Sequence, residues 1–286
     1  MTLNNSSKGG WANYHGHSNY CDGQGNPEDY VKKALELGMK TLGISSHAPV
    51  PFHTTWNMKS ERLNNYLDHL TALKKKYTGQ IELLSSLEVD YIPGIMGPAH
   101  SRILSAGLDY VVGSVHFVET FPDGHRWSID DSTDDFSRGI AEIFEGDIQK
   151  TVTRYFELQR EMLEDQGPHI LGHMDKIRMH NLNRFFFNEA DEWYVQQVRD
   201  TLKLAAEKGT VVEINTKYLK RAGLTFPSSD HFKWMADNHI PVTLSSDAHA
   251  PDKLLEGFEE TMFVLKKNGI KKLWAWHDGV FRPVDL

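Results

Sequence analysis

Seven short apolar runs alternate along the chain with longer segments of helical period, and this alternation restricts the fold more than any other feature. The runs are WANYHGH, TLGISSHAPVP, QIELLSSLEVDY, LDYVVGSVHF, HILGHMD, TVVEINT and PVTLSSDAH. Strands separated by helices pair in parallel through crossovers, so the expected class is α/β. No glycine-rich phosphate loop follows the first run, which favours a closed or nearly closed TIM-like barrel over a doubly wound sheet. The helical segments carry their own signals. In NPEDYVKKALELG, Asn26 is placed to cap, Pro27 suits the first helical position, Glu28 and Asp29 lie at the positive end of the dipole, and Gly38 supplies the stop. KSERLNNYLDHLTALKKKY, EADEWYVQQVRDTLKLAAEKG and LEGFEETMFVLKKNG read as helices, PAHSRILSAG as a short one, and the stretch from Ser132 to Asp165 as one long one. No linker or compositional break divides the 286 residues, so a single domain is expected over 1–286, with its core at about 11–268.

The chemistry is concentrated where the runs end. The first ends on His15 and His17, the second on His47, the third on Glu88, the fourth on His116, the fifth on His173 and the seventh on Asp247 and His249. Only the sixth, EINTKYLKR, offers no histidine or carboxylate at its tip. In a parallel barrel the strand C-termini converge on one face, which places eight side chains able to bind metal around one mouth. Alternate strand residues point the same way, so His15 and His17 face together, as do Asp247 and His249. Imidazole and carboxylate without thiolate suit Zn²⁺, Mn²⁺ or Fe²⁺. Eight ligands exceed the needs of one tetrahedral ion, so two or three divalent ions are expected, with Glu88 as the natural bridge. Asp90 shares a face with Glu88 and either orients a histidine or lies solvated in a loop. His53, His69, His100, His125, His169, His180, His231, His239 and His277 are read as structural. Cys21, the only cysteine, rules out an intramolecular disulfide and is read as packing rather than as a ligand.

Charge narrows the partners. With 31 Lys and Arg against 39 Asp and Glu the formal charge is -8, which argues against nucleic acid or an acidic membrane held by bulk electrostatics. An anionic substrate then needs a local positive centre, and bound metal would supply one. No apolar run approaches the roughly 20 residues that span a bilayer. The N-terminal MTLNNSSKGGW is polar and has no apolar core of the secretory type, so a cytoplasmic enzyme is the expectation. The residues leave the oligomeric state open.

YHGHSNYCDG, GISSHAPVP, LEVDYIPG, GSVHF, LGHMDKIR and LSSDAHAP resemble, in order and wording, the motifs of the polymerase-and-histidinol-phosphatase (PHP) superfamily. The resemblance runs from about residue 12 to about residue 265, and the branch it points to is the monofunctional histidinol-phosphatases. It implies a distorted seven-stranded β/α barrel and three metal ions. His15, His17, Glu88 and Asp247 resemble the ligands of one ion; Glu88, His116 and His173 resemble those of a second. His47 and His249 resemble ligands of a third, which in many members takes a further histidine shortly after the first pair. That histidine is missing here, and Asp22 is the candidate for the ninth ligand. The activity implied is hydrolysis of L-histidinol phosphate to L-histidinol and phosphate, in histidine biosynthesis.

A multi-metal mouth also suggests how such a reaction would run. A hydroxide bridging two ions is a strong nucleophile near neutral pH, and a phosphate monoester would be attacked in line while metal charge offsets that of the transition state. Glu88 and Asp247 are the expected catalytic residues. The leaving-group proton comes either from a ligand such as Asp247 or from water. Lys217 and Arg221, after the sixth run, and Lys176 and Arg178, after the fifth, are candidate phosphate clamps or else solvated loop cations, with Lys217, Arg178 and Arg221 the substrate-binding set. Phe52, Trp56 and Phe117 are candidates to pack against a substrate ring. Competing readings are a PHP-type phosphoesterase acting on another small phosphate ester or on a nucleotide or nucleic-acid phosphodiester, an amidohydrolase-type hydrolase, and a metal-storage or phosphate-binding protein without turnover.

Overall fold

A computed structural model of the protein describes residues 10–286. Most of the polar N-terminal run discussed above, residues 1–9, lies outside the described residues. The strands are β1 (Ala12–Asn13), β2 (Thr41–Ile44), β3 (Glu82–Ser85), β4 (Glu88–Asp90), β5 (Val112–Ser114), β6 (Phe117–Thr120), β7 (Arg126–Ser128), β8 (Ile170–Leu171), β9 (Val211–Asn215), β10 (Val242–Ser245), β11 (Lys272–His277) and β12 (Val280–Asp285). They form two parallel sheets, in the orders β1-β2-β3 and β10-β9-β8-β5-β4, and two antiparallel hairpins, β6-β7 and β11-β12. Isolated parallel bridges join Gly16 to Ala248 and His47 to Glu88, so the segments just beyond β1 and β10, and beyond β2, touch across the gap between the sheets. The fold is α/β with parallel sheets, as the alternation requires.

The strand count differs from seven for local reasons. QIELLSSLEVDY breaks at Ser86–Leu87 into β3 and β4, and the carbonyl of Ser86 accepts a hydrogen bond from Tyr66 Oη at 2.7 Å. That bond satisfies a buried group the ladder has dropped. The two hairpins went unforeseen in the sequence. One follows His116; the other closes the chain. The stretch from Ser132 to Asp165 is two helices, Thr133–Ile143 and Ile148–Asp165, because Glu145 and Gly146 between them take φ of 55° and 82°. The helix at Pro27–Glu36 starts as its sequence requires: Asn26 accepts from Glu28 N, and the Asp29 carboxylate accepts from Asn26 N.

Helices bury one stripe each against the sheets, through Tyr30, Val31 and Ala34 in the first and Leu63, Tyr66, Leu70 and Leu73 in the second. A separate aromatic cluster lies between the strands, where Tyr14, Tyr110, Trp276 and Phe281 meet edge-on or tilted at 5.1–6.0 Å. Gly43 is required here, since a Cβ on it would fall 1.9 Å from Tyr110 Oη. The β11-β12 hairpin thus contributes Trp276 and Phe281 to this cluster.

Candidate metal centre

The polar cluster forms where the strands run out. His15 and His17 follow β1, His47 follows β2, Glu88 opens β4, His116 follows β5, His173 follows β8, and Asp247 and His249 follow β10. All but His249 are buried. Asp247 adopts a left-handed conformation, φ 49°, rare for a residue other than glycine and a mark of a site held by its surroundings.

Glu88 stands at the centre. Its Oε2 lies 3.2 Å from His15 Nε2, 3.4 Å from His17 Nε2 and 3.0 Å from His47 Nδ1. Its Oε1 lies 2.8 Å from His173 Nε2 and 3.5 Å from His116 Nε2. Asp247 Oδ1 is 3.0 Å from His17 Nε2 and 3.8 Å from His15 Nε2. Asp22 Oδ2 is 3.3 Å from His249 Nε2, and its Oδ1 is 3.8 Å from His47 Nε2. All nine residues singled out as ligand candidates are therefore brought together. They fall into overlapping groups whose ligand atoms lie within 4.8 Å of one another: His15, His17 and Glu88; His15, His173 and Asp247; His47, Glu88 and His116; and Asp22 with His17, His47 and His249.

The donor set fits divalent metal. His15 Nε2, His17 Nε2, His47 Nδ1 and Glu88 Oε2 are buried without a hydrogen-bond partner, and buried polar atoms are rarely left so. Four such atoms aimed at one another are what an ion would satisfy.

Electrostatics separate the histidines. Burial favours the neutral form of His15, yet the carboxylates of Glu213, Glu88 and Asp247 outweigh it and hold its pKa well above the ordinary value. For His17, burial and the neighbouring His249 and His47 act together and hold the pKa well below. His47 is pushed down to about 4, chiefly by burial. Burial opposes ionisation of Glu88, but the surrounding His15, His47 and His116 keep its carboxyl well below the usual range.

A second ring orients the first. Asp90 is buried, not solvated; its Oδ1 lies 2.7 Å from His116 Nδ1, and Oδ2 accepts from Asn57 Nδ2 at 3.0 Å. Glu213 in β9 lies 2.7 Å from His15 Nδ1 through Oε1, while Oε2 accepts from the backbone N–H of His173 at 2.8 Å and from Asn215 Nδ2 at 3.0 Å. The sixth run, which offers no ligand at its tip, thus supplies a carboxylate from mid-strand, two residues before Asn215 on the same face. Cys21 Sγ is 3.6 Å from His17 Nδ1, and burial raises its thiol to about 11.

The basic residues divide sharply. Lys217 Nζ reaches 3.3 Å from both Asp247 Oδ1 and His249 Nε2. Lys176 is buried and donates to Asp130 Oδ2 at 2.6 Å, an oxygen 3.9 Å from His116 Nε2. Asp130, which the sequence did not single out, is thus a neighbour of the cluster. Arg178 does not face it. Its guanidinium is spent on Asp175 Oδ2 at 3.2 Å, Glu189 Oε2 at 2.7 Å and the Thr225 carbonyl at 3.1 Å. Arg221 is exposed, with its guanidinium 5.2 Å over the Tyr218 ring. Both arginines lie past the strand ends, in the short helical turns Lys176–His180 and Leu219–Ala222, where their partners are local.

Together, a parallel α/β frame and a buried histidine–carboxylate cluster at its strand ends define a class of metal-dependent hydrolase site. The PHP domain model matches residues 13–217, and the chain belongs to that family. A curated relative from Deinococcus radiodurans, named "Probable histidinol-phosphatase", is 26% identical over 249 residues, covering 86% of this chain and 88% of the relative. A candidate histidinol phosphatase from Listeria monocytogenes has a solved structure with a TM-score of 0.74 at 24% identity, over 87% of this chain and 99% of that one. The histidinol phosphate phosphatase of Lactococcus lactis, solved with Zn, L-histidinol and phosphate, gives 0.67 at 17% identity, over 95% and 98%.

Proposed function

We propose that the protein is a metal-dependent phosphomonoesterase that hydrolyses L-histidinol phosphate to L-histidinol and phosphate. The observation that carries the reading is the ring of five buried histidines around the two oxygens of Glu88, with ligand atoms left unpaired. The substrate follows from the family and from the histidinol-phosphatase names of relatives matched over most of their length. Two or three divalent ions would be held: His15, His17, Glu88 and Asp247 would hold one, Glu88, His116 and His173 a second, and Asp22, His47 and His249 a third. Bound metal supplies Lewis-acid charge to the phosphoryl oxygens and lowers the pKa of the attacking water.

The chain's own residues do the rest. Glu88 and Asp247 are the catalytic carboxylates, Glu88 joining the ligand sets and Asp247 standing between His17 and Lys217. Lys217 Nζ, at the rim beside His249, meets a phosphoryl oxygen. Asp90 and Glu213 fix the tautomers of His116 and His15, so that the nitrogen facing the centre is the one free to bind. The bridges at Gly16–Ala248 and His47–Glu88 support reading the two sheets as one distorted seven-stranded barrel, and the chain as one domain. No helix among the described residues is long and apolar enough to cross a membrane, and the -8 charge favours a small phosphorylated substrate over nucleic acid, in the cytoplasm. The test is phosphate release from a panel of monoesters with Zn²⁺, Mn²⁺ or Fe²⁺ and metal analysis on the same sample. Release from L-histidinol phosphate that is abolished in Glu88→Gln supports the reading; no release from any monoester overturns it.

A further inference from the structure

A cavity of about 660 Å³ lies between the loop that follows β8 and the loop that follows β9, and none of the nine ligand candidates lines it. Its wall carries four guanidiniums, Arg178, Arg184, Arg199 and Arg221, against two carboxylates, Glu189 and Asp230. Glu189 is already taken: Oε2 accepts from Arg178 Nε at 2.7 Å, and Oε1 accepts from Asn181 Nδ2 at 3.0 Å. Asp230 is exposed. Among the described residues, Arg184, Arg199 and Arg221 meet no carboxylate and donate no side-chain hydrogen bond, whereas Arg138 and Arg154 elsewhere pair with carboxylates at 2.9 Å. Carboxylates are in excess in a chain of formal charge -8, so these three are not left unpaired for want of acidic partners.

Each of the three is held in place without an ion pair. Arg199, half-buried on the helix Glu192–Glu207, lies with its guanidinium 5.5 Å over the Trp234 ring, and that of Arg221 lies 5.2 Å over the Tyr218 ring. An aromatic backing occupies a face of the guanidinium and leaves its in-plane N–H groups for another partner. Arg184 owes its place to an uncommon backbone, since Asn183 and Arg184 are both left-handed, with φ of 58° and 57°, a strain that the surroundings must hold. Buried Asn181 holds it: Oδ1 accepts from the backbone N–H groups of Phe186 and Phe187 at 2.9 and 3.1 Å, and Nδ2 donates to the Phe187 carbonyl at 3.1 Å. The frame behind the cavity is tied as well, because Asp175 Oδ2 accepts from both Arg178 Nη1 at 3.2 Å and Ser228 N–H at 2.9 Å. A half-buried guanidinium without a counter-ion is unfavourable, and Arg199 Nε is buried without a hydrogen-bond partner. His231, which also lines the space, is held down to about 4 by burial and then by Arg178, so near neutral pH it adds no charge of its own.

We propose that this cavity is a second binding site, separate from the metal centre, for a small anion bearing several carboxylate or phosphoryl groups, with Arg184, Arg199 and Arg221 as its counter-ions. The planar fork of arginine matches the oxygens of either group. The volume suits a molecule larger than a single tetrahedral ion. The inference does not depend on the phosphatase reading. Such a ligand joins the loop after β8, which carries Arg184, to the helical turn after β9, which carries Arg221, and cross-links them from outside the centre.

Isothermal titration calorimetry on the metal-loaded, full-length protein provides the test, with tricarballylate as the polycarboxylate and propane-1,3-diphosphonate as the phosphoryl probe, neither of which a phosphatase can hydrolyse. At least one of the two binds at one molecule per chain, and which one binds more tightly identifies the class. Its affinity falls steeply as sodium chloride is raised, and falls at least tenfold in Arg199→Gln and in Arg184→Gln, each shown to be folded by circular dichroism. Failure of both probes to bind at millimolar concentration overturns the proposal. So does binding of equal strength in wild type and both variants, the result expected of an anion that sits on the metal ions instead.

Discussion

Replacing Glu213 by Gln removes one charge and no volume, and the structure predicts a large effect from it. Glu213 accepts on both oxygens: Oε1 faces His15 Nδ1 at 2.7 Å, and Oε2 receives the His173 N–H and Asn215 Nδ2 at 2.8 and 3.0 Å. A glutamine has one oxygen for these three donors. Whichever way its amide turns, an N–H meets an N–H, at His15 or at His173. If His15 Nδ1 loses its acceptor, the proton shifts to Nε2, the nitrogen that faces Glu88 at 3.2 Å, and a protonated nitrogen cannot bind metal. Outer partners of this kind are worth about 10–100-fold in metal affinity, or about 1.4–2.7 kcal/mol. Glu213→Gln therefore retains metal about 10–100-fold more weakly against a graded chelator, and loses kcat/KM in parallel at subsaturating metal. The assay is elemental analysis after chelator dialysis, with circular dichroism to establish folding. A folded Glu213→Gln protein that holds metal within twofold of wild type refutes the argument.

Other perturbations separate the roles assigned above. Arg178→Ala breaks a buried pair with Asp175 and Glu189, so denaturant unfolding should show a loss of about 3–5 kcal/mol, while KM of the folded enzyme moves less than twofold; a tenfold rise in KM would restore Arg178 to the substrate. Asp22→Ala should bind about one metal ion fewer per chain, and equal metal content by elemental analysis would remove Asp22 from the third set. His231 is held down to about 4 by burial and then by Arg178, against an ordinary value near 6.5 in the unfolded chain. The unfolded state therefore binds this proton first as pH falls, and stability is lost between about pH 6.5 and pH 4. From pH 7 to pH 5 the loss from this residue is about 2 kcal/mol, and in His231→Gln the measured drop in unfolding free energy should shrink by that amount; an identical drop contradicts the assignment.

The α/β class and the ligand candidates were legible because both rest on strong local signals. Short apolar runs between helical segments force parallel pairing, and a histidine at a strand end is visible whatever the rest of the chain does. The strand count was not legible, because the break at Ser86–Leu87 depends on Tyr66, twenty residues away, satisfying a carbonyl. Glu213 could have been found: it alternates with Val212 and Ile214 in β9, and a carboxylate in the middle of a buried strand needs a partner. Asp130 could not, since only the return of the hairpin after His116 brings it to Lys176. Arg178 and Arg221 were chosen only for following the fifth and sixth runs, and nothing in the sequence reveals that Asp175 and Glu189 take the one guanidinium and the Tyr218 ring the other.

The most direct test of the central claim is release of inorganic phosphate from L-histidinol phosphate by the purified protein, stripped of metal and then titrated with Zn²⁺ or Mn²⁺. The account predicts no turnover without metal, turnover that rises with two to three equivalents per chain, and a loss of at least a hundredfold in His116→Ala at the same added metal concentration. Turnover that is indifferent to metal or unaltered in His116→Ala would contradict it.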